Sequence, residues 1–113
     1  MPPRTLNPTF LHILLTLADG VHHGYAIKQK IEQRTLGAIR LGPATLYQSI
    51  QKLERDGLIK NVNQPIDYPG ARLNQRHYRL TDEGRVVLGR ELDRLERIVA
   101  YGRSRPGFSG EPS

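Results

Sequence analysis

Glycine and proline constrain this chain more tightly than any compositional figure. Gly20, the pair Gly42-Pro43 and Gly57 divide its first half into short segments, and each segment repeats apolar residues at helical spacing. In the first segment Asn7 can cap free backbone N–H groups, and Pro8 suits a first turn where its missing N–H costs nothing. Phe10, Ile13, Leu14, Leu17 and Ala18 form the expected buried stripe, closed by Gly20. A second helix is predicted over 24–34, with Ile27 and Ile31 inward and Lys28, Lys30 and Arg34 outward. A third opens at Gly42-Pro43 and stops at Gly57. Its apolar positions Leu46, Ile50 and Leu53 make a narrow stripe, so the opposite face must meet water or a ligand.

The period then changes. Leu58 to Asn63 alternates loosely, whereas 76–80 alternates well, with Tyr78 and Leu80 inward and His77 and Arg79 outward. Between them Pro65, Asp67, Pro69, Gly70 and Asn74 mark a long loop carrying Arg72, with Arg76 at its exit. Thr81 caps a final helix whose first turn holds Asp82 and Glu83, the preferred charge at a positive helix end. Gly84 inside that helix costs about 1 kcal/mol against Ala, which points to close packing there. Leu88, Leu92, Leu95 and Val99 follow at a/d spacing, flanked by Ile98, while Arg90, Asp93, Arg94 and Arg97 face away.

The expected architecture is mainly α with a small β-hairpin: a winged helix-turn-helix followed by a C-terminal dimerisation helix. Its expected parts are a flexible arm at 1–6, a DNA-binding winged domain at 7–80, the dimerisation helix at 81–102 and a disordered tail at 103–113. Leu11 and Leu14 on the first helix join Leu88, Leu92, Leu95, Ile98 and Val99 as expected dimer contacts, because a two-heptad stripe is too short to hold a coil alone.

Composition narrows the function. A chain of 113 residues is one domain and excludes large multi-layer enzymes. Without Cys it has no disulfide, thiolate metal site or thiol nucleophile. Its apolar stretch from Phe10 to Ala18 is broken by His12 and is far short of the ~20 residues of a membrane span, so a cytoplasmic protein away from membranes is expected. The net charge is +6, and its distribution is uneven: residues 1–80 carry 11 Lys/Arg against 5 Asp/Glu, residues 81–113 carry 6 of each. The excess cation lies wholly in the first 80 residues, the arm and the predicted winged domain, as nucleic-acid binding asks.

Four ordered motifs resemble the PadR family of bacterial transcriptional regulators. The longest runs Gly42-Pro43-Ala44-Thr45-Leu46-Tyr47 and continues through Leu53-Glu54-Arg55-Asp56-Gly57-Leu58-Ile59. His23-Gly24-Tyr25, Gln75-Arg76-His77-Tyr78-Arg79-Leu80-Thr81 and Asp82-Glu83-Gly84 are the others, and the likeness covers about residues 6–100. The single C-terminal helix is similar to that of the smaller members. The resemblance implies a dimeric DNA-binding repressor, often relieved by a small-molecule effector. An effector cavity by resemblance lies between the last helix, the first helix and the partner, lined by Leu11, Leu14, Leu92, Leu95 and Val99.

On a palindromic duplex the third helix is expected to enter the major groove. Thr45 and Gln48 are the base-edge candidates. Pro43, Ala44, Tyr47, Gln51 and Lys52 line the rest of that face, with Tyr47, Lys52 and the helix N-terminus suited to phosphates. Tyr25 belongs near a phosphate, and Arg72 and Arg76 near a minor groove. Plainer readings stand beside these: Gln48 and Gln51 as solvated surface, Tyr47 and Tyr25 as packing, Lys52 and Arg55 paired with Glu54 or Asp56.

His22 and His23 are adjacent and point apart, and no nucleophile–base pair or phosphate loop stands out, so no enzyme activity, metal or cofactor is expected. The alternative function is a basic RNA-binding or ribosome-associated protein, or a winged helix used for protein contact. No run of three basic residues favours RNA.

Overall fold

The computed structural model describes residues 6–62 and 76–108. Arg72 and the rest of the predicted wing loop, most of the N-terminal arm and the last residues of the tail lie outside the described residues.

Helix α1 spans Pro8–Ala18, with Asn7 Oδ1 accepting the Phe10 N–H at 2.8 Å. Its buried face is Ile13, Leu14, Thr16 and Leu17. Ala18, expected in that stripe, is exposed, and Thr16 takes the buried position instead. The Thr16 hydroxyl satisfies itself locally: it donates to the His12 carbonyl at 2.9 Å and accepts from Arg34 Nη2 at 3.1 Å. Arg34 is exposed as expected, yet its guanidinium folds back to clamp the next helix onto α1, also donating toward His12 Nδ1 at 3.2 Å. Burial, then the Arg34 charge, holds the His12 imidazole below its ordinary pKa, which keeps it the neutral acceptor this contact needs.

Strand β1, His22–His23, leads into α2, Gly24–Arg34, which buries Ile27 and Ile31. Helix α3 spans Pro43–Arg55 and buries Leu46, Ser49, Ile50 and Leu53. Strands β2, Ile59–Val62, and β3, His77–Leu80, pair antiparallel with Ile59 opposite Leu80 and Asn61 opposite Tyr78. The predicted hairpin is therefore two strands of a three-stranded sheet in the order β1-β3-β2, with His22 opposite Tyr78 and His23 opposite His77. A two-residue strand has no alternation to read.

Helix α4, Asp82–Arg103, begins at the Thr81 cap, where Thr81 Oγ1 accepts the Gly84 N–H at 2.9 Å and donates to the Gly57 carbonyl at 2.6 Å. Gly57 ends α3 at a φ of +78°, a left-handed turn that favours glycine. Gly84 meets the expected close approach: a Cβ there would collide with the Leu58 carbonyl oxygen and stand 2.8 Å from Leu80 Cδ1.

One core joins Ile13, Leu14 and Leu17 of α1 to Ile27, Ile31, Leu46, Ile50 and Leu53 of α2 and α3, and closes on Ile59, Tyr78, Leu80 and Leu88. Of α4's 22 residues only Gly84, Leu88 and Glu91 are buried. Beyond them Leu92 is 37 %, Ile98 51 % and Val99 55 % exposed. Leu14 and Leu88, expected at the dimer seam, are 0 % and 4 % exposed inside the protomer's own core and have no surface to offer a partner.

Candidate nucleic-acid interface

Helix α3 divides cleanly. Leu46, Ser49, Ile50 and Leu53 face the core, while Pro43, Ala44, Thr45, Tyr47, Gln48, Gln51 and Arg55 are exposed. The division follows from sequence: residues at i, i+4 and i+7 occupy one side of a 3.6-residue turn and leave the rest to solvent. The N-terminus of α3 also differs from those of the other helices. Side chains of Asn7, His23 and Thr81 cap α1, α2 and α4, but Gly42 gives α3 no side-chain cap. The first-turn amides of Ala44 and Thr45 are thus left uncapped at the positive end of the helix, where an anionic oxygen binds well.

The candidate residues do not all stand alike. Thr45 and Gln48 are exposed and make no side-chain hydrogen bond among the described residues. Tyr47 is 40 % exposed, and its hydroxyl accepts from Gln51 Nε2 at 2.7 Å. Lys52 Nζ lies 3.5 Å from Asp56 Oδ2, an i,i+4 surface pair of the kind worth under about 1 kcal/mol and readily exchanged for a phosphate. Tyr25 is 49 % exposed in the first turn of α2, on the surface and not in the core.

Arg76 sits at the edge of β3, half-buried, and its side chain hydrogen-bonds the Tyr78 hydroxyl. Burial, then the nearby Glu54 carboxylate, pushes that phenol up, against the pull of Arg76. The guanidinium expected near a minor groove is therefore engaged by the sheet, and α3 and β3 share one polar seam of Glu54, Tyr78 and Arg76.

Three features escaped sequence reasoning. His23 caps α2 through Nδ1, which accepts the Ala26 N–H at 3.1 Å, with the His77 ring edge-on at 6.0 Å. Burial, then His77 and His22, lowers its pKa, as a ring that must accept at Nδ1 requires. Its place before Gly24 is the signal, since N-cap positions take acceptor side chains. Lys60 and Arg79 are cross-strand partners and both exposed, so two cations stand opposite one another on the outer face of the sheet. That arrangement costs stability unless an anion neutralises it. On α4, Glu91 is 4 % exposed, bound by Arg94 Nε and Nη2 at 2.7 Å each and by the Leu6 backbone N–H. Arg94, expected to face away, turns back to it.

Among the described residues no three His, Asp or Glu side chains group to hold a metal, and no helix is long and apolar enough to cross a membrane.

Comparison with known proteins agrees with this geometry. The family model for PadR-like transcriptional regulators matches residues 13–90. The chain is 34 % identical over 103 residues to the transcriptional regulator Rv3488 of Mycobacterium tuberculosis, covering 88 % of this chain and 90 % of that one. It is 38 % identical over 92 residues, 81 % of its length, to an uncharacterized 37.1 kDa protein in transposon TN4556 of Streptomyces fradiae, of which it spans only 24 %. A crystal structure of a PadR family transcription regulator from Clostridium difficile superposes with a TM-score of 0.71 at 23 % identity, covering 84 % of this chain and 94 % of that one, and shows the shared fold. The family's members regulate transcription and are not enzymes. With its winged fold, its helix opening at Gly42-Pro43 and its span across the family model, the chain belongs to the PadR-like family of transcriptional regulators.

Proposed function

We propose that this chain acts as a homodimeric repressor of a palindromic operator and is released by a small-molecule effector. The observation that carries the DNA part is the exposed polar face of α3 with its uncapped N-terminus. In this reading Thr45 and Gln48 meet base edges, where Gln pairs bidentately with adenine and Thr reaches a thymine methyl. Pro43 and Ala44 bring the helix end against the backbone, and Tyr25, Tyr47 and Lys52 hold phosphates that fix register without reading sequence.

The dimer part is supported by α4, whose Leu92, Ile98 and Val99 are exposed and whose Leu95 is only half-buried within the protomer. Leu11, half-buried on α1, which packs against α4, is the proposed first-helix contribution to the seam. Burying such side chains gains about 1.5–3 kcal/mol each. The effector and the repressive sign are proposed from the likeness to the family, with Leu11, Leu92, Leu95 and Val99 as the proposed lining of an effector site beside the partner.

Fluorescence anisotropy and footprinting on the duplex upstream of the chain's own gene test the reading. The expected result is protection of two half-sites about 34 Å apart, with affinity falling steeply as salt rises. Equal affinity for structured RNA, or an affinity indifferent to salt, overturns it.

A further inference from the structure

We infer that Gln51 is a positioning residue: its side-chain amide holds the Tyr47 hydroxyl so that the hydroxyl's own proton is offered to a backbone phosphate, and Gln51 itself reads no base. The inference rests on the reading of α3 as the DNA-facing helix. Sequence alone places Gln51 beside Gln48 as a candidate contact, and the structure separates the two.

Gln51 Nε2 donates to Tyr47 Oη at 2.7 Å across one helical turn. A phenol oxygen that accepts one hydrogen bond keeps its own O–H and becomes a stronger donor. Phosphate oxygens only accept, so a held, outward O–H is the complement they need. Reading adenine by a glutamine takes both the carbonyl and the amide at once. With Nε2 turned back along the helix to Tyr47, the Gln51 carboxamide is not free to present amide and carbonyl together to a base edge, whereas among the described residues no side-chain hydrogen bond is found for Gln48. Position along the helix agrees. Gln51 stands eight residues past Pro43, about 12 Å down the axis, beyond the N-terminal residues that meet bases.

The test is a set of operator duplexes, each with one uncharged methylphosphonate linkage, bound to wild type, Tyr47→Phe, Gln51→Leu and the double variant. Wild type is expected to lose affinity at the linkage facing Tyr47. Tyr47→Phe weakens every unmodified duplex about tenfold, the range of a hydrogen bond to a charged group. Gln51→Leu weakens it about threefold, as an i,i+4 side-chain bond and the donor it orients allow. The double variant binds like Tyr47→Phe alone. Tyr47→Phe becomes insensitive to methylphosphonate at that one linkage and Gln51→Leu loses part of the wild-type sensitivity there, while both keep the wild-type salt slope, helix content and base preference. A Gln51→Leu protein that changes preference among operator variants, or whose loss adds fully to that of Tyr47→Phe, overturns the inference. If wild type binds no duplex, the DNA reading fails first, and the two failures are thereby told apart.

Discussion

Helices α3 and α4 each carry apolar residues at helical spacing, yet they end in opposite situations. In α3 the stripe Leu46, Ile50 and Leu53 is 3 % or less exposed, covered by the rest of the chain, and what remains outside is mostly polar. In the α4 stripe only Leu88 is buried, Leu95 is half-covered, and Leu92, Ile98 and Val99 stay open. Periodicity says which face of a helix seeks cover. Whether the same chain provides that cover depends on how much core is left, and this core is full once Leu88 is in place. An apolar stripe that outruns its own domain is the physical mark of a surface waiting for another molecule.

The largest expected effect breaks the covered side. Ile50→Ala should cost about 2–5 kcal/mol in urea unfolding, by lost transfer energy and the cavity left behind, and the cost should not depend on protein concentration. A loss that disappears at high concentration would mean that α3 too is covered by a partner. On the open side Leu95→Glu should leave the protomer folded but weaken association by about 3 kcal/mol, roughly a hundredfold, because a seam that excludes water cannot hold an unpaired carboxylate. Light scattering should then report a monomer, and operator affinity should fall with it. An unchanged dimer would show that this stripe is not the seam.

Smaller still is Gln48→Ala, expected to lose about 1–3 kcal/mol of discrimination at one base pair while sparing stability, read by competition among operator variants. Acid should have the mildest effect, and its sign follows from the lowered groups. The Arg94 bond holds the Glu91 carboxyl below its ordinary range, so its contribution is present above that range and is lost as pH falls through the folded-state value. His12 and His23 are also lowered, so the neutral rings stabilise the fold above about pH 6.5 and that share fades as pH drops below it. Thermal melts from pH 7 down to about 2 should decline in these two stages, and Glu91→Gln should flatten the lower one alone.

Much of this was legible in the residues themselves. Asn7, Pro8, Thr81 and Gly57 behave as their local chemistry requires, because caps and turns are decided within a few residues, and Gly84 marks by its helix cost alone the close approach it makes to Leu58. What escaped was decided by distant partners. Strand β1 exists because His22 and His23 meet β3 some 55 residues later, and Thr16 is buried because Arg34 reaches it from α2. Gln51 and Arg76 looked like free contacts until Tyr47 and Tyr78 were placed beside them. Leu14 and Leu88 looked like seam because periodicity cannot say where along a stripe the protomer's own cover ends.

The Thr81 hydroxyl has a mechanical consequence. By donating to the Gly57 carbonyl and accepting from the Gly84 amide, one oxygen rivets the end of α3 to the start of α4. From that rivet to Leu95 the helix runs about 21 Å, a stiff lever whose inner end is fixed to α3. In a dimer of the proposed kind, a tilt of roughly 10° at the seam therefore travels ~4 Å at the lever's end, about the rise of one base-pair step. A small wedge placed far out on α4 thus has the leverage to put two half-sites out of register.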